Sequence, residues 1–266
     1  MPILLKDVIH ILEEWYPACL AESWDKVGLH FGHRLAPVRK IMLALDLRLE
    51  VIEEAIEAGV DTLIVHHPPI FSPIQRFDYQ DNQTKIYQAA VKADLNVFAM
   101  HTNFDRAKEG MNDILARRLE LENVSDLYPV EDPLTSLGRV GYLKQALNRT
   151  DLLDHIRRVF DLEQLKLIEK TPQDFYQKVA ILGGSGADFF NEVATCGADV
   201  FITGDVTYHK GQDLYEAGYL TVDVGHYVEH YFMEPVKERL EEEFLKNQWS
   251  IEVISSKVKT DPFDYC

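Results

Sequence analysis

The sequence predicts an α/β protein built from two similar βαβαβ-type halves with mixed sheets. Three observations lead there. Short apolar runs alternate with amphipathic stretches, the pattern of strands joined by crossover helices. Residues 41–67 lie on 179–205 without a gap, at one offset of 138 (179 − 41 and 205 − 67), matching Glu54/Glu192, Gly59/Gly197, Asp61/Asp199 and Ile64/Ile202. The third apolar runs of the two halves, 95–101 and 220–226, both end on a histidine, His101 and His226. Four identities alone fit any strand–helix–strand unit; the matching third runs favour an internal duplication.

In the first half, Val8, Ile9, Leu12 and Trp15 share one face of a helix over 5–15 that Pro17 ends. A loop through Glu22–Leu29 follows, in which Trp24 and Asp25 are candidates to line a pocket. Ile41–Asp46 reads as a buried strand, 48–58 as a helix ended by Gly59, and Thr62–Val65 as a strand running into His66-His67-Pro68-Pro69. A helix over 84–93 leads to a strand at 95–100, and a helix at about 108–120 closes the half. In the second half, strands are expected at 179–182, 199–203 and 220–224, with helices at 187–196 and 210–217. Between the halves, about 125–178 holds Pro129, Pro133, Pro172 and a strand-like Arg139–Leu143. A last helix, 229–246, and a strand at 250–258 return to the first domain. The expected domains are 1–125 plus 226–266, and 126–225.

The 266 residues suffice for one large or two smaller domains, and 46% apolar with 27% charged residues is ordinary for a packed soluble chain. The net charge of −17 argues against a role in gripping nucleic acid, because phosphates need clustered Lys and Arg. That same negative field draws divalent cations. Cys19, Cys196 and Cys266 form no CxxC pair, which points to a reducing cytoplasm and away from a disulfide framework. The first residues reach charge too soon for a signal-peptide core, and no run approaches the roughly 20 apolar residues of a membrane helix.

In open parallel sheets, ligands gather beyond the carboxyl ends of the strands. His66, His67, His101 and Asp105 stand there in the first half; Asp205, His209, His226, Glu229 and His230 in the second. Imidazole with carboxylate suits zinc, manganese, iron or cobalt. A lone strand-end histidine is more often structural, Asp105 alone fits a helix N-cap, and Glu229 alone fits a first-turn carboxylate. Together they favour a metal site. Successive strand residues point apart, so His66 and His67 would each hold one of two neighbouring ions, which Glu229 could bridge. His101, Asp205 and His209 fit groups that orient ligands or carry protons. His230 competes with Glu229 for the turn after His226. His10, His30, His33 and His155 have no partner in sequence. Gly183-Gly184-Ser185-Gly186 matches neither the dinucleotide fingerprint nor the P-loop; a tight turn with Ser185 as helix cap is expected, with phosphate binding the lesser reading.

Several blocks resemble one family. Glu22-Ser23-Trp24-Asp25 with Val27-Gly28-Leu29, Ile64–Phe71 with its His-His-Pro-Pro core, His101-Thr102-Asn103-Phe104-Asp105, Gly183–Gly186, Thr203-Gly204-Asp205 with His209, and Gly225–Glu229 are similar to the GTP cyclohydrolase I type 2 homologues, an interacting-factor-three-like family. The resemblance spans nearly the whole chain. It implies a toroidal homohexamer of two-domain subunits whose paired divalent metals (Zn, Mn, Fe, Co or Ni) sit in the cleft between the halves and face an internal cavity. Carried over by position, the ligands are His66, His67, Asp105, His226 and Glu229. Some relatives carry the glutamate four residues after the histidine, where this chain has His230. Some also carry an inserted mid-chain domain, for which 126–178 is too short.

The function expected is metal-dependent hydrolysis of a small, nucleotide-like substrate, with His101 and His209 as proton carriers. A metal-stabilised hexameric scaffold without catalysis is the alternative. Iron–oxygen chemistry is a third reading, since two histidines and a carboxylate form a facial-triad set.

Overall fold

A computed structural model describes residues 2–130 and 135–264. Pro133 and Cys266 lie outside the described residues. The elements are α1 (Leu5–Trp15), β1 (Gly28–Phe31), β2 (Lys40–Ala44), α2 (Leu49–Glu57), β3 (Thr62–Val65), α3 (Asn82–Lys92), β4 (Asn96–Ala99), α4 (Thr102–Arg106) and α5 (Met111–Arg118). They continue with β5 (Glu122–Asp126), β6 (Arg139–Leu147), α6 (Arg149–Phe160), β7 (Lys166–Ile168), β8 (Tyr176–Ile181), α7 (Phe190–Cys196), β9 (Val200–Thr203), α8 (Tyr208–Ala217), β10 (Leu220–Asp223), α9 (Met233–Lys246) and β11 (Glu252–Ser255). A 3₁₀ helix, His226–Phe232, precedes α9.

Backbone contacts divide the chain into two compact units. The first joins Met1–Ala107 to Phe232–Asp261, and the second holds Lys108–Tyr231 with the chain end from Pro262. These dividing points differ from those expected near 126 and 226. Helix α5 groups with the second unit because Asn112 donates to the carbonyl of Leu137 and accepts from the Gly183 N–H.

In the first unit the strand order is β1-β4-β3-β2-β11, with β1 antiparallel to β4 and the remaining pairs parallel. Met42, Ala44, Leu63, Val65, Val97 and Ala99 face a core that α2 closes with Val51, Ile52 and Ala55, and α3 with Ile86 and Ala90. Apolar residues repeat at helical spacing on these helices, so one face is buried and the other stays wet. The second unit has the order β5-β6-β8-β9-β10-β7, parallel from β8 to β10 and antiparallel elsewhere. Its core includes Ala180, Leu182, Val193, Phe201, Leu214 and Tyr219. Two mixed sheets are therefore present, as the alternation predicts.

The apolar runs were readable, and the short partner strands were not. Strand β1 falls where a loop was expected; its four residues are all half-buried, so no face gives a pattern, and pairing with β4 alone defines it. Strand β7 is three residues long and defined by β10. Helix α6, also unexpected, did carry a signal: Leu152, Leu153, Ile156 and Phe160 are buried at helical spacing, and the Asn148 side chain accepts from the Asp151 N–H. Cys19 and Cys196 are free thiols. No helix among the described residues is long and apolar enough to cross a membrane.

Candidate functional site

The first unit brings three imidazoles to the ends of its central strands. All four residues of β3 are buried, and its ladder continues past Val65: the His66 N–H donates to Ala44 O (3.2 Å) and the His67 N–H to Leu45 O (3.0 Å). His66 is fully buried against the rings of Phe104 and Phe232. Its Nδ1 meets the carbonyl of Met100 at 2.8 Å. A carbonyl only accepts, so Nδ1 carries a proton. His67 Nδ1 is fixed by Asp46 Oδ1 (2.7 Å), and His101 Nδ1 by Asp25 Oδ2 (3.0 Å). The His66 ring centroid is 4.9 Å from that of His67 and 5.2 Å from that of His101. One donor atom from each of the three lies within 4.8 Å of the others.

Asp105 adjoins His66, with Oδ1 3.6 Å from Nε2. The N-cap of α4 is His101, so Asp105 lies inside the helix and the N-cap reading does not hold. Four-residue spacing on that short helix turns Asp105 back towards the strand ends.

The orienting carboxylates are themselves held. Asp25 Oδ2 also accepts from the Thr102 N–H (3.0 Å) and hydroxyl (2.6 Å). Burial works against its charge, but the hydrogen bond and charge of His101, with the Thr102 bonds, outweigh it and keep the carboxyl below the usual range. Asp46 shows the same balance: burial is overcome by the bond and charge of His67 and by the Thr260 hydroxyl, which donates to Oδ2.

The second unit supplies one imidazole and one carboxylate. After β10 the chain turns at Gly225, whose φ is +77°, and His226 opens the 3₁₀ helix. In a 3₁₀ helix, residues i and i+3 eclipse. Glu229 therefore comes to stand over His226, with Oε2 3.0 Å from Nε2, and is 2% exposed. His226 Nδ1 is held by Asp205 Oδ2 at 2.7 Å. His230 turns elsewhere: its ring stacks on Tyr227 (4.5 Å) and its Nδ1 donates to the Tyr227 carbonyl (2.6 Å). Glu229, not His230, is the partner of His226.

The glycine loop explains how that pair fits. A Cβ on Gly184, whose φ is +64°, would fall 2.6 Å from Glu229 Oε1 and 3.2 Å from His226 Nε2. Only glycine leaves that space and adopts that backbone without strain. Two loop amides are already used, Gly183 N–H by Asn112 Oδ1 and Gly186 N–H by Thr203 Oγ1, which counts against a phosphate cradle. Ser185 is not the helix cap: Gly186 precedes the 3₁₀ turn Ala187–Phe189, and α7 starts only at Phe190.

His209 is exposed on the first turn of α8, edge-on to Tyr208, and belongs to no donor group among the described residues. The other histidines have local partners: His10 with Glu14, His30 with Lys26 O, His33 with the Leu35 N–H, and His155 with Leu119 O. Sequence reasoning gave no role to Asp46 or Thr260. Their contacts cross 21 and 214 residues, and no local pattern announces them.

The donor set fits a divalent metal. Four of the imidazoles, His66, His67, His101 and His226, are tied through Nδ1 to a carbonyl or carboxylate, which fixes the direction of each ring. This is the orienting shell that metal-binding histidines carry.

Known proteins were compared with this chain. The model of the Duf34/NIF3 (NGG1p interacting factor 3) family matches residues 3–262. The chain is 36% identical over 266 residues to the GTP cyclohydrolase 1 type 2 homolog of Streptococcus pneumoniae serotype 4, covering 99% of this chain and 100% of the relative. It is 29% identical to the same-named homolog of Listeria monocytogenes, covering 96% of this chain and 97% of the relative; that alignment runs over 363 positions against the 266 residues here, so the relative carries extra sequence. Among solved structures, the Bacillus cereus protein related to NIF3 matches with a TM-score of 0.95 at 26% identity, covering 100% of both chains.

Proposed function

The chain belongs to the Duf34/NIF3 (NGG1p interacting factor 3) family, and we propose that it is a divalent-metal-dependent hydrolase with His66, His67, Asp105, His226 and Glu229 as ligands of a two-metal centre. One observation supports the metal reading: His66, His67 and His226 all have Nδ1 tied to a fixed acceptor, the orienting contact that metal-binding histidines carry. Bound divalent metals supply Lewis acidity to a substrate oxygen and acidify water. The relatives' names contain GTP cyclohydrolase, so a nucleotide-like substrate is the starting point.

Of the two expected proton carriers, His101 has the supporting geometry. Asp25 anchors its Nδ1, its ring lies in one donor group with His66 and His67, and an imidazole so held can take or return a proton. His209 is tested beside it. The assembly proposed is a homohexamer.

Metal analysis of the purified chain tests the core of this reading. We expect divalent metal in the native protein and its loss in His66→Ala and His226→Ala. A panel of GTP, amides and phosphoesters should then show turnover that a chelator abolishes. His101→Ala should keep the metal and lose turnover by about 100-fold or more, the usual worth of a positioned acid–base group. A chain that binds no divalent metal sinks the whole proposal. One that binds metal but turns over nothing in the panel leaves a scaffold and removes the word hydrolase. Light scattering decides the hexamer.

A further inference from the structure

We propose that Trp24 and Phe71 form a stacking platform, beside His101, for a planar nitrogen heterocycle of the nucleobase type. The inference rests on the reading that these histidines form a ligand site. Trp24 is 53% exposed and Phe71 61%, although each lies against the other. Their centroids are 5.7 Å apart with the planes inclined by 54°, so the rings splay and do not cover each other. The Trp24 ring also meets His101 edge-on at 6.0 Å. An open aromatic pair thus borders the His66, His67 and His101 donor group directly.

The other two tryptophans show that exposure is not the chain's habit. Trp15 lies under the Arg239 guanidinium, 4.1 Å from its centroid, and Trp249 packs at 5.7 Å on Phe244; both are half-buried. Trp24 is open, yet its backbone is anchored. The Asp25 N–H donates to Glu22 O, the Glu22 N–H to the Thr102 hydroxyl, and the buried Asp25 carboxylate binds His101 and Thr102. Phe71 follows the Pro68-Pro69 pair, whose Pro69 carbonyl accepts from Tyr87 OH at 2.6 Å. Two exposed rings on anchored chain are a pre-ordered surface, and a ligand that stacks there orders little on binding.

The chemistry selects the ligand. A flat ring can stack on the indole face while the phenyl ring, inclined by 54°, meets it obliquely. A ring nitrogen or carbonyl at its edge places in-plane lone pairs toward the imidazole group. An aliphatic or sugar-phosphate ligand would use neither face.

The test is calorimetric titration of the full-length chain, with and without zinc, by guanosine 5′-monophosphate and by ribose 5-phosphate. Trp24→Ala and Phe71→Ala should weaken guanosine monophosphate about tenfold or more, the scale of one lost base–aromatic stack. Trp24→Phe should recover most of that loss, and ribose 5-phosphate should respond to none of these changes. Zinc content and melting temperature should match the parent in all three variants. The platform is overturned if Trp24→Ala and Phe71→Ala bind guanosine monophosphate as tightly as the parent, or if the parent prefers ribose 5-phosphate or binds neither. Failure of the metal reading looks different: every form, parent included, takes up no zinc.

Discussion

The two units share a scaffold and differ where the chemistry would be. Asp61 and Asp199, equivalent at the offset of 138, do the same work. Asp61 Oδ2 accepts from the N–H groups of Arg39 and Lys40, and Asp199 Oδ2 from those of Gln177 and Lys178, which are their equivalents. Gly59 and Gly197 end equivalent helices with the same φ of +68°. Beyond the strand ends the likeness stops. The position of His67 in the first unit is that of Asp205 in the second, a ligand-type imidazole against a carboxylate that orients one. The position of Asp46 is that of Gly184, a carboxylate that holds His67 against a gap that admits Glu229. Residues that close the backbone are alike in the two units; those at the strand ends differ.

The sharpest way to break this comparison is at Asp46 and Gly184. Gly184→Ala should have the largest effect, because a Cβ at 2.6 Å from Glu229 Oε1 must move that buried carboxylate. We expect metal affinity, measured by competition with a chelator, to fall by on the order of 100-fold, with some loss of stability from the positive φ. Asp46→Ala creates no clash and should cost about 10-fold, the lower range for a lost orienting partner. Equal effects would mean that the glycine is not there for clearance.

Next come Asp61→Ala and Asp199→Ala. Each should cost about 1–2 kcal/mol in urea denaturation, because two backbone donors lose a charged acceptor. The prediction is equality. A cost on one side only would break the proposed duplication of roles.

The smallest effect contrasts the helix starts. Asp81 caps α3 by accepting from the Thr84 N–H, whereas Thr207 makes no side-chain bond at the start of α8. Asp81→Ala should lower the urea midpoint slightly and Thr207→Ala should leave it unchanged. The cap is also pH-dependent. The Thr84 backbone hydrogen bond, the leading cause, holds the Asp81 carboxyl below its ordinary 3.8. A carboxylate depressed in the folded state stabilises above its unfolded value and loses that contribution as pH falls through the folded one. Asp81→Asn should therefore flatten the acid side of the melting curve below about pH 4, where nothing at Thr207 titrates.

Much of this was legible in the sequence because buried parallel strands are written as apolar runs and their ends as the residues that follow. His66, His67, His101 and His226 were found that way. The +3 spacing of Glu229 was visible, but its reason, a 3₁₀ helix that eclipses i and i+3, was not, since an α-helix was expected from 229. Trp24 reads as a candidate pocket-lining aromatic, but no local pattern points to its pairing with Phe71. What stayed hidden is held by long-range pairing: Asp25 with His101 across 76 residues, Asp46 with Thr260 across 214. The glycine loop was read through its amides, whereas its importance lies in the absent side chain.

Strand β11 lies beside β2, and Ser256 and Thr260 just beyond it reach Glu54 and Asp46. A ribosome makes β2 and His67 well before β11. Until then β2 has an open edge, and His67 depends on an aspartate without its hydroxyl clasp. Completion of the first sheet thus follows synthesis of its other strands, and a chain stopped short of Thr260 would hold His67 less firmly. Residues 252–260 thus act as a seal on the first sheet.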